Sequence, residues 1–126
     1  MIGYVILGTN DLSRAASFYD TLLAEMGCSR MMEFGGRGYA WGTDMEQPML
    51  CIMKPFDEQP ATVGNGVMVG IQVNSRDQVD QMHKKALELG GTDEGQPGLR
   101  AEGGDGFYVA YFRDLDGNKL DVFYYG

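Results

Sequence analysis

The feature that most constrains this 126-residue chain is that it repeats itself. A shift of 64 places Tyr4 on Met68, Asp11 on Ser75, Phe18 on Met82 and Gly27 on Gly91. Toward the end the shift becomes 70, so that Trp41 falls on Tyr111, Asp44 on Asp114, Glu46 on Asp116, Leu50 on Leu120 and Cys51 on Asp121. The six extra residues of the second half (70 − 64) lie in the glycine-rich stretch before Phe107. One unit of about 60 residues buries too little surface to be comfortable alone and leaves an open sheet edge. Two copies of a β-α-β-β-β unit are therefore expected to face each other.

Local signals support that unit. Ile2–Leu7 is short, rich in β-branched residues and followed by Gly8, which predicts a strand. Asp11 can cap a helix in which Ala15, Phe18, Tyr19, Leu22, Leu23 and Met26 recur at three- and four-residue steps before Gly27 ends it. Short strands are expected around Arg30–Phe34, Gly38–Gly42 and Pro48–Met53. Residues 55–66 carry Pro55, Pro60, Gly64 and Gly66 and read as a linker between repeat 1 (1–54) and repeat 2 (67–126) of a single domain. The order then restarts with a strand at Val67–Val73. Ser75 and Gln78 form a capping box. The stripe Val79, Met82, His83, Ala86 and Leu87 predicts the second helix, which Gly90-Gly91 stops. Strands Phe107–Arg113 and Lys119–Tyr124 flank a hairpin turn at Asp116-Gly117.

Composition removes several functions. Ten Lys and Arg against 18 Asp and Glu leave a net charge of −8 with no basic run, which repels a phosphate backbone and argues against nucleic acid as a partner. No apolar run approaches the roughly 20 residues that span a bilayer, and no signal segment opens the chain. No membrane partner is expected. Cys28 and Cys51 are too few for a disulfide framework, so a reduced, cytoplasmic protein is expected. A single His and two scattered Cys cannot complete a zinc site of the usual Cys/His kind.

The stretch Tyr111-Phe112-Arg113-Asp114-Leu115-Asp116-Gly117-Asn118-Lys119-Leu120-Asp121 resembles the aromatic-x-Asp-Pro-Asp-Gly-Asn-x-hydrophobic-Glu signature of the vicinal oxygen chelate superfamily, with Leu115 where Pro is usual. Gly3–Tyr19, with Asn10-Asp11-Leu12 and Phe18-Tyr19, adds to the resemblance, which covers nearly the whole chain. That superfamily includes glyoxalase I, extradiol dioxygenases, bleomycin-resistance proteins and thiol transferases acting on fosfomycin. The resemblance implies an α+β fold: two βαβββ repeats forming a curved eight-stranded mixed sheet around a cleft, with the helices outside. It also implies a homodimer.

Metal-dependent members of that superfamily take one ligand from the first and one from the last strand of each unit, usually His or Glu. Those positions here are Tyr4, Cys51, Met68 and Asp121. Only Asp121 is an ordinary hard ligand, and neutral Tyr and Met are poor partners for a divalent metal. No metal and no other cofactor is expected. Instead, Tyr4, Cys51, Met68 and Asp121 are expected to line a pocket for a small molecule, with Tyr39, Trp41, Phe107, Val109 and Tyr111 as its walls. Cys51 and Asp121 alternate with Leu50, Ile52, Leu120 and Val122, which would pack beneath the helices.

The remaining motifs are structural. His83 falls on the helical stripe and reads as a packing residue. Asp114-x-Asp116-x-Asn118 imitates the start of a calcium loop, but Lys119 replaces the glycine such a loop needs at its sixth position. Gly103, Gly104 and Gly106 read as a mobile lid over the cleft, with Arg100, Glu102 and Asp105 solvated. The expected function is binding of a small apolar or aromatic molecule without a metal, in the manner of a bleomycin-resistance protein. The alternative is a glyoxalase- or dioxygenase-type enzyme with a degenerate metal site or with Asp121 as a base.

Overall fold

Asp11 and Ser75, which the repeat superposes, each start a helix in the computed structural model, which describes residues 1–126. Helix α1 spans Leu12–Ala24 and helix α2 Arg76–Glu88. The Asp11 carboxylate accepts the Arg14 N–H at 3.1 Å, and the Ser75 hydroxyl accepts the Gln78 N–H at 3.0 Å. Each bond satisfies one of the orphan donors of a helix start. Gln78 does not close the box on Ser75 itself; its Oε1 reaches one residue further and accepts the Asn74 N–H at 2.9 Å. The apolar stripes are buried as expected: Phe18, Tyr19, Leu22 and Leu23 in α1, and Val79, Met82 and Ala86 in α2.

The strands of the first half are β1 (Tyr4–Gly8), β2 (Ser29–Glu33), β3 (Gly38–Gly42) and β4 (Met49–Met53), in the sheet order β1-β4-β3-β2. Those of the second half are β5 (Val69–Gln72), β6 (Thr92–Leu99), β7 (Phe107–Arg113) and β8 (Lys119–Tyr125), in the order β5-β8-β7-β6. In both, the first strand runs parallel to the last and the other pairs are antiparallel. The same βαβββ topology occurs twice, giving an α+β fold with eight strands in two four-stranded mixed sheets. The chain divides into two compact units, Met1–Val63 and Gly64–Gly126. No helix is long and apolar enough to cross a membrane.

Two segments differ from their sequence reading. Most of the proline-containing stretch after β4 belongs to the first unit. The Asn10 side chain holds it there, donating to Ala61 O at 3.1 Å and accepting the Ala61 N–H at 2.7 Å. The glycine-rich stretch before β7 is no lid but the bonded connection of the β6–β7 hairpin. Arg100 N–H donates to Phe107 O at 3.0 Å, the Tyr125 hydroxyl to Gly103 O at 3.0 Å, and Gly126 N–H to Gly106 O at 3.0 Å.

The turn between β7 and β8 shows what the calcium-like residues do. Asp114 Oδ1 accepts the backbone N–H groups of Asp116 and Asn118, both at 2.9 Å, while Asn118 Nδ2 donates to Asp114 Oδ2 at 3.0 Å. Gly117, at φ +88, takes the left-handed backbone the turn requires. The carboxylate is therefore occupied by its own loop. Asp114→Ala is expected to lower stability by about 2 kcal/mol, because three donors, two of them buried on Asn118, lose their acceptor; urea denaturation followed by circular dichroism measures it.

Candidate functional site

Strand register decides which side chains share a face, because neighbours in a strand point opposite ways and directly paired residues point the same way. In the first unit Ile6 pairs with Cys51, and Cys51 pairs in turn with Ala40. Tyr4 pairs with Met49, and Ala40 with Met32. One face of this sheet thus carries Tyr4, Ile6, Met32, Ala40, Met49 and Cys51. They line a cavity of about 530 Å³ to which Gly3, Phe34, Met45, Gln47 and Met53 also contribute. The lining contains no Asp, Glu, Lys, Arg or His, and burial pushes the Cys51 thiol above its ordinary value.

Tyr39 and Trp41 do not belong to this face. Tyr39 pairs with Ile52 and Trp41 with Leu50, on the side of the sheet that packs against α1. Trp41 is buried, its ring lies 5.9 Å from that of Tyr19, and its Nε1–H donates to Asp20 Oδ1 at 2.9 Å. Arg30 makes a two-pronged bond to the same carboxylate, at 2.9 and 2.7 Å, and lies 4.1 Å over the Tyr39 ring. The Arg30 hydrogen bonds hold the Asp20 carboxyl below its usual range. This network fastens helix to sheet and leaves Tyr39 and Trp41 no role as walls of a pocket on the other side.

In the second unit Asp121 pairs with Gly70 on β5 and with Tyr111 on β7. Val109 pairs with Phe123, and Phe107 with Tyr125. Phe107, Val109 and Tyr111 therefore share the Asp121 face, while Met68 lies immediately before β5. Asp121 is only 4% exposed, and its Oδ1 has no hydrogen-bond partner. A Cβ on Gly70 would stand 2.9 Å from that oxygen, so the glycine makes room for the carboxylate. Burial raises the Asp121 pKa from 3.8 to about 6, against the opposing pull of the Lys119 charge. Lys119 Nζ and the Arg100 guanidinium lie 5.5 and 5.8 Å from the centre of the Tyr111 ring. Arg100 is also bonded to Gln96 O at 2.6 Å and is not a freely solvated charge.

His83 packs as its place on the stripe implies: it is buried, with Nε2 3.0 Å from Asp93 Oδ1. The four positions that hold metal in related enzymes do not fit a divalent ion. Tyr4 and Met68 are neutral and about half exposed or more, Cys51 is a neutral thiol, and only Asp121 is a hard donor. No group of three or more His, Cys, Asp and Glu side chains that could hold a metal exists in the structure.

Two four-stranded sheets of identical order, each with one helix, define a paired-βαβββ protein. The chain belongs to the Glyoxalase/Bleomycin resistance protein/Dioxygenase superfamily, whose pattern matches residues 1–122. It is similar to a glyoxalase/bleomycin resistance protein from Albidiferax ferrireducens T118, with 36% identity, 98% of each chain covered and a TM-score of 0.87. It shares the fold of a glyoxalase/bleomycin resistance protein/dioxygenase family enzyme from Burkholderia phytofirmans PsJN, at 14% identity, 98% of each chain and a TM-score of 0.74. It also shares the fold of lactoylglutathione lyase from Agrobacterium tumefaciens, at 20% identity, 98% of this chain and 92% of that one, and a TM-score of 0.69. No curated protein matches the sequence.

Proposed function

We propose that this protein binds a small apolar or aromatic molecule on the strand face of its first unit, without a divalent metal. The observation that carries the reading is the cavity of about 530 Å³ there, whose lining holds four methionines together with Tyr4, Ile6, Phe34 and Cys51, and no Asp, Glu, Lys, Arg or His. Concave sites of roughly 300–1,000 Å³, mostly apolar with a few polar groups, are the usual form of a small-molecule site. Ile6 and Tyr4 remain 52% and 66% exposed, which folding alone does not reward.

Titration of N-phenyl-1-naphthylamine in the presence of EDTA tests this. Saturable binding is expected, and Ile6→Asp should weaken it about tenfold or more by placing a charge on the apolar face. Absence of saturable binding, or an Ile6→Asp variant that binds equally well, would count decisively against the site.

Asp121 favours a second reading, in which the protein is an enzyme and this carboxylate takes a proton from a substrate. A buried carboxylate with a free oxygen and a pKa of about 6 is mostly ionised at neutral pH, takes up a proton just below it, and is suited to general-base work. Lactoylglutathione lyase turnover that is lost in a folded Asp121→Asn variant would favour this reading over the first.

A further inference from the structure

The first unit holds two further cavities, and they differ in character from the apolar one. One, of about 480 Å³, is lined by Ile6 and Met53 of the apolar face together with Arg37, Lys54 and Phe56. The other, of about 550 Å³, shares Arg37 and Lys54 with it and adds Thr9, Asn10, Gly35 and Gly36. Along this side of the unit the lining thus passes from thioethers and aliphatic groups to two cations set among hydroxyl, amide and backbone groups.

Arg37 and Lys54 are placed together by the backbone. Gly38 pairs with Met53 at the end of the β3–β4 ladder, and the next residue on each strand is bonded as well, Lys54 N–H donating to Arg37 O at 2.8 Å. The Arg37 guanidinium donates to Lys54 O at 3.2 Å and lies 5.4 Å from the centre of the Phe56 ring. Neither cation forms an ion pair with a carboxylate. Asp57 and Glu58 contribute to the same linings, but Asp57 Oδ1 accepts the Gln59 N–H at 3.0 Å and Glu58 makes no bridge to either cation. Like charges facing each other at a strand end repel. In a chain with 18 acidic and 10 basic residues, two neighbouring cations with no carboxylate partner are an arrangement that folding does not select. Phe56, 90% exposed, is likewise held in place by the Arg37 contact and covered by nothing.

Resting on the binding reading above, we infer that the ligand is an amphiphilic anion. Its apolar or aromatic body lies on the Ile6–Met53 face, and its oxyanionic head is held by Arg37 and Lys54. A planar guanidinium offers paired donors that match the two oxygens of such a head, and the lysine ammonium adds a point charge beside it. Arg37 retains donors beyond the one directed at Lys54 O, so the head can bind without breaking that bond.

Two fluorophores with one aromatic skeleton separate the head from the body. 1-Anilinonaphthalene-8-sulfonate carries a sulfonate; N-phenyl-1-naphthylamine carries none. At low salt the anionic probe is expected to bind about tenfold more tightly than the neutral one, despite the protein's net charge of −8. The Arg37→Gln/Lys54→Gln double variant should bring the two affinities together while leaving the neutral probe's unchanged, which also reports an intact fold. Equal affinities in the wild type, or a preference that survives in the double variant, would overturn the head-group assignment and leave the apolar site standing. Failure of both probes to bind would remove both.

Discussion

Trp41→Ala is expected to destabilise the protein by about 3–5 kcal/mol, the usual range for truncating a large buried aromatic side chain. The indole is 1% exposed and packs on the α1 side of the first sheet, tilted against Tyr19 at 5.9 Å and edge-on to Tyr39 at 6.0 Å between ring centres. Truncation empties that volume and also removes the Nε1–H that Asp20 accepts, leaving Arg30 as the carboxylate's remaining side-chain donor. Trp41→Phe keeps most of the volume and loses only the hydrogen bond, so it should cost about 1 kcal/mol. Urea denaturation monitored by far-ultraviolet circular dichroism suits both variants, since the chain has one tryptophan and each variant lacks its fluorescence. A cost below about 1 kcal/mol for the alanine variant would show that the ring is not packed as described. Because Trp41 faces the helix, Trp41→Phe should bind naphthylamine probes as the wild type does.

Asp121→Asn is expected to act in the opposite direction, raising stability at pH 7.5 by about 2–3 kcal/mol. A carboxyl with a pKa of about 6 in the folded protein and 3.8 in the unfolded chain binds its proton more tightly when folded. Its contribution favours folding fully below pH about 4 and is lost as pH rises through about 6, where burying the ionised form opposes folding by about 3 kcal/mol. The asparagine side chain carries no charge and escapes that penalty, though its amide must find a partner in place of a solvated one, which trims the gain. The stability difference between variant and wild type should therefore grow between pH 4 and 6 and stay flat above. Asp20 and Asp93 behave in the reverse sense, their carboxyls being held low, Asp20 chiefly by the Arg30 bonds and Asp93 chiefly by the Gly95 N–H. Both are present in each protein, so the subtraction cancels them. A difference that does not change with pH would mean that Asp121 is better solvated or partnered than its burial indicates.

Both helix starts and the final hairpin are legible in the sequence because each depends on residues close together in the chain. Asp11 and Ser75 cap helices by reaching three residues ahead, and Asp114 closes a turn on residues two and four ahead. The parity within a strand is legible for the same reason, which is why Cys51 and Asp121 fall opposite Ile52 and Val122. Parity between strands is not. Cys51 lies opposite Ala40 and not opposite Tyr39 or Trp41, and a slip of one residue reverses every face. Nothing local sets that register, and so the two aromatics are misassigned from sequence alone. Strand β6, with the sequence TDEGQPGL and two register shifts, has no alternation and only Thr92 as a β-branched residue to announce it. The Arg37–Lys54 pair escapes notice because it depends on the ladder between β3 and β4, which brings together residues 17 apart in the chain. The apolar neighbours Ile6, Met49 and Met53, by contrast, follow from counting in twos from Tyr4 and Cys51.

Four of the nine methionines, Met32, Met45, Met49 and Met53, line the apolar cavity of the first unit. A thioether chain is unbranched, turns about three bonds and reshapes itself at little cost, so such a wall accepts bodies of different outline almost equally well. Selectivity among molecules of similar size cannot then come from the contour of the wall. If the proposed site binds as inferred above, selectivity must come from the rigid groups at its border, by what a ligand carries at one end, with wide variation tolerated in the rest.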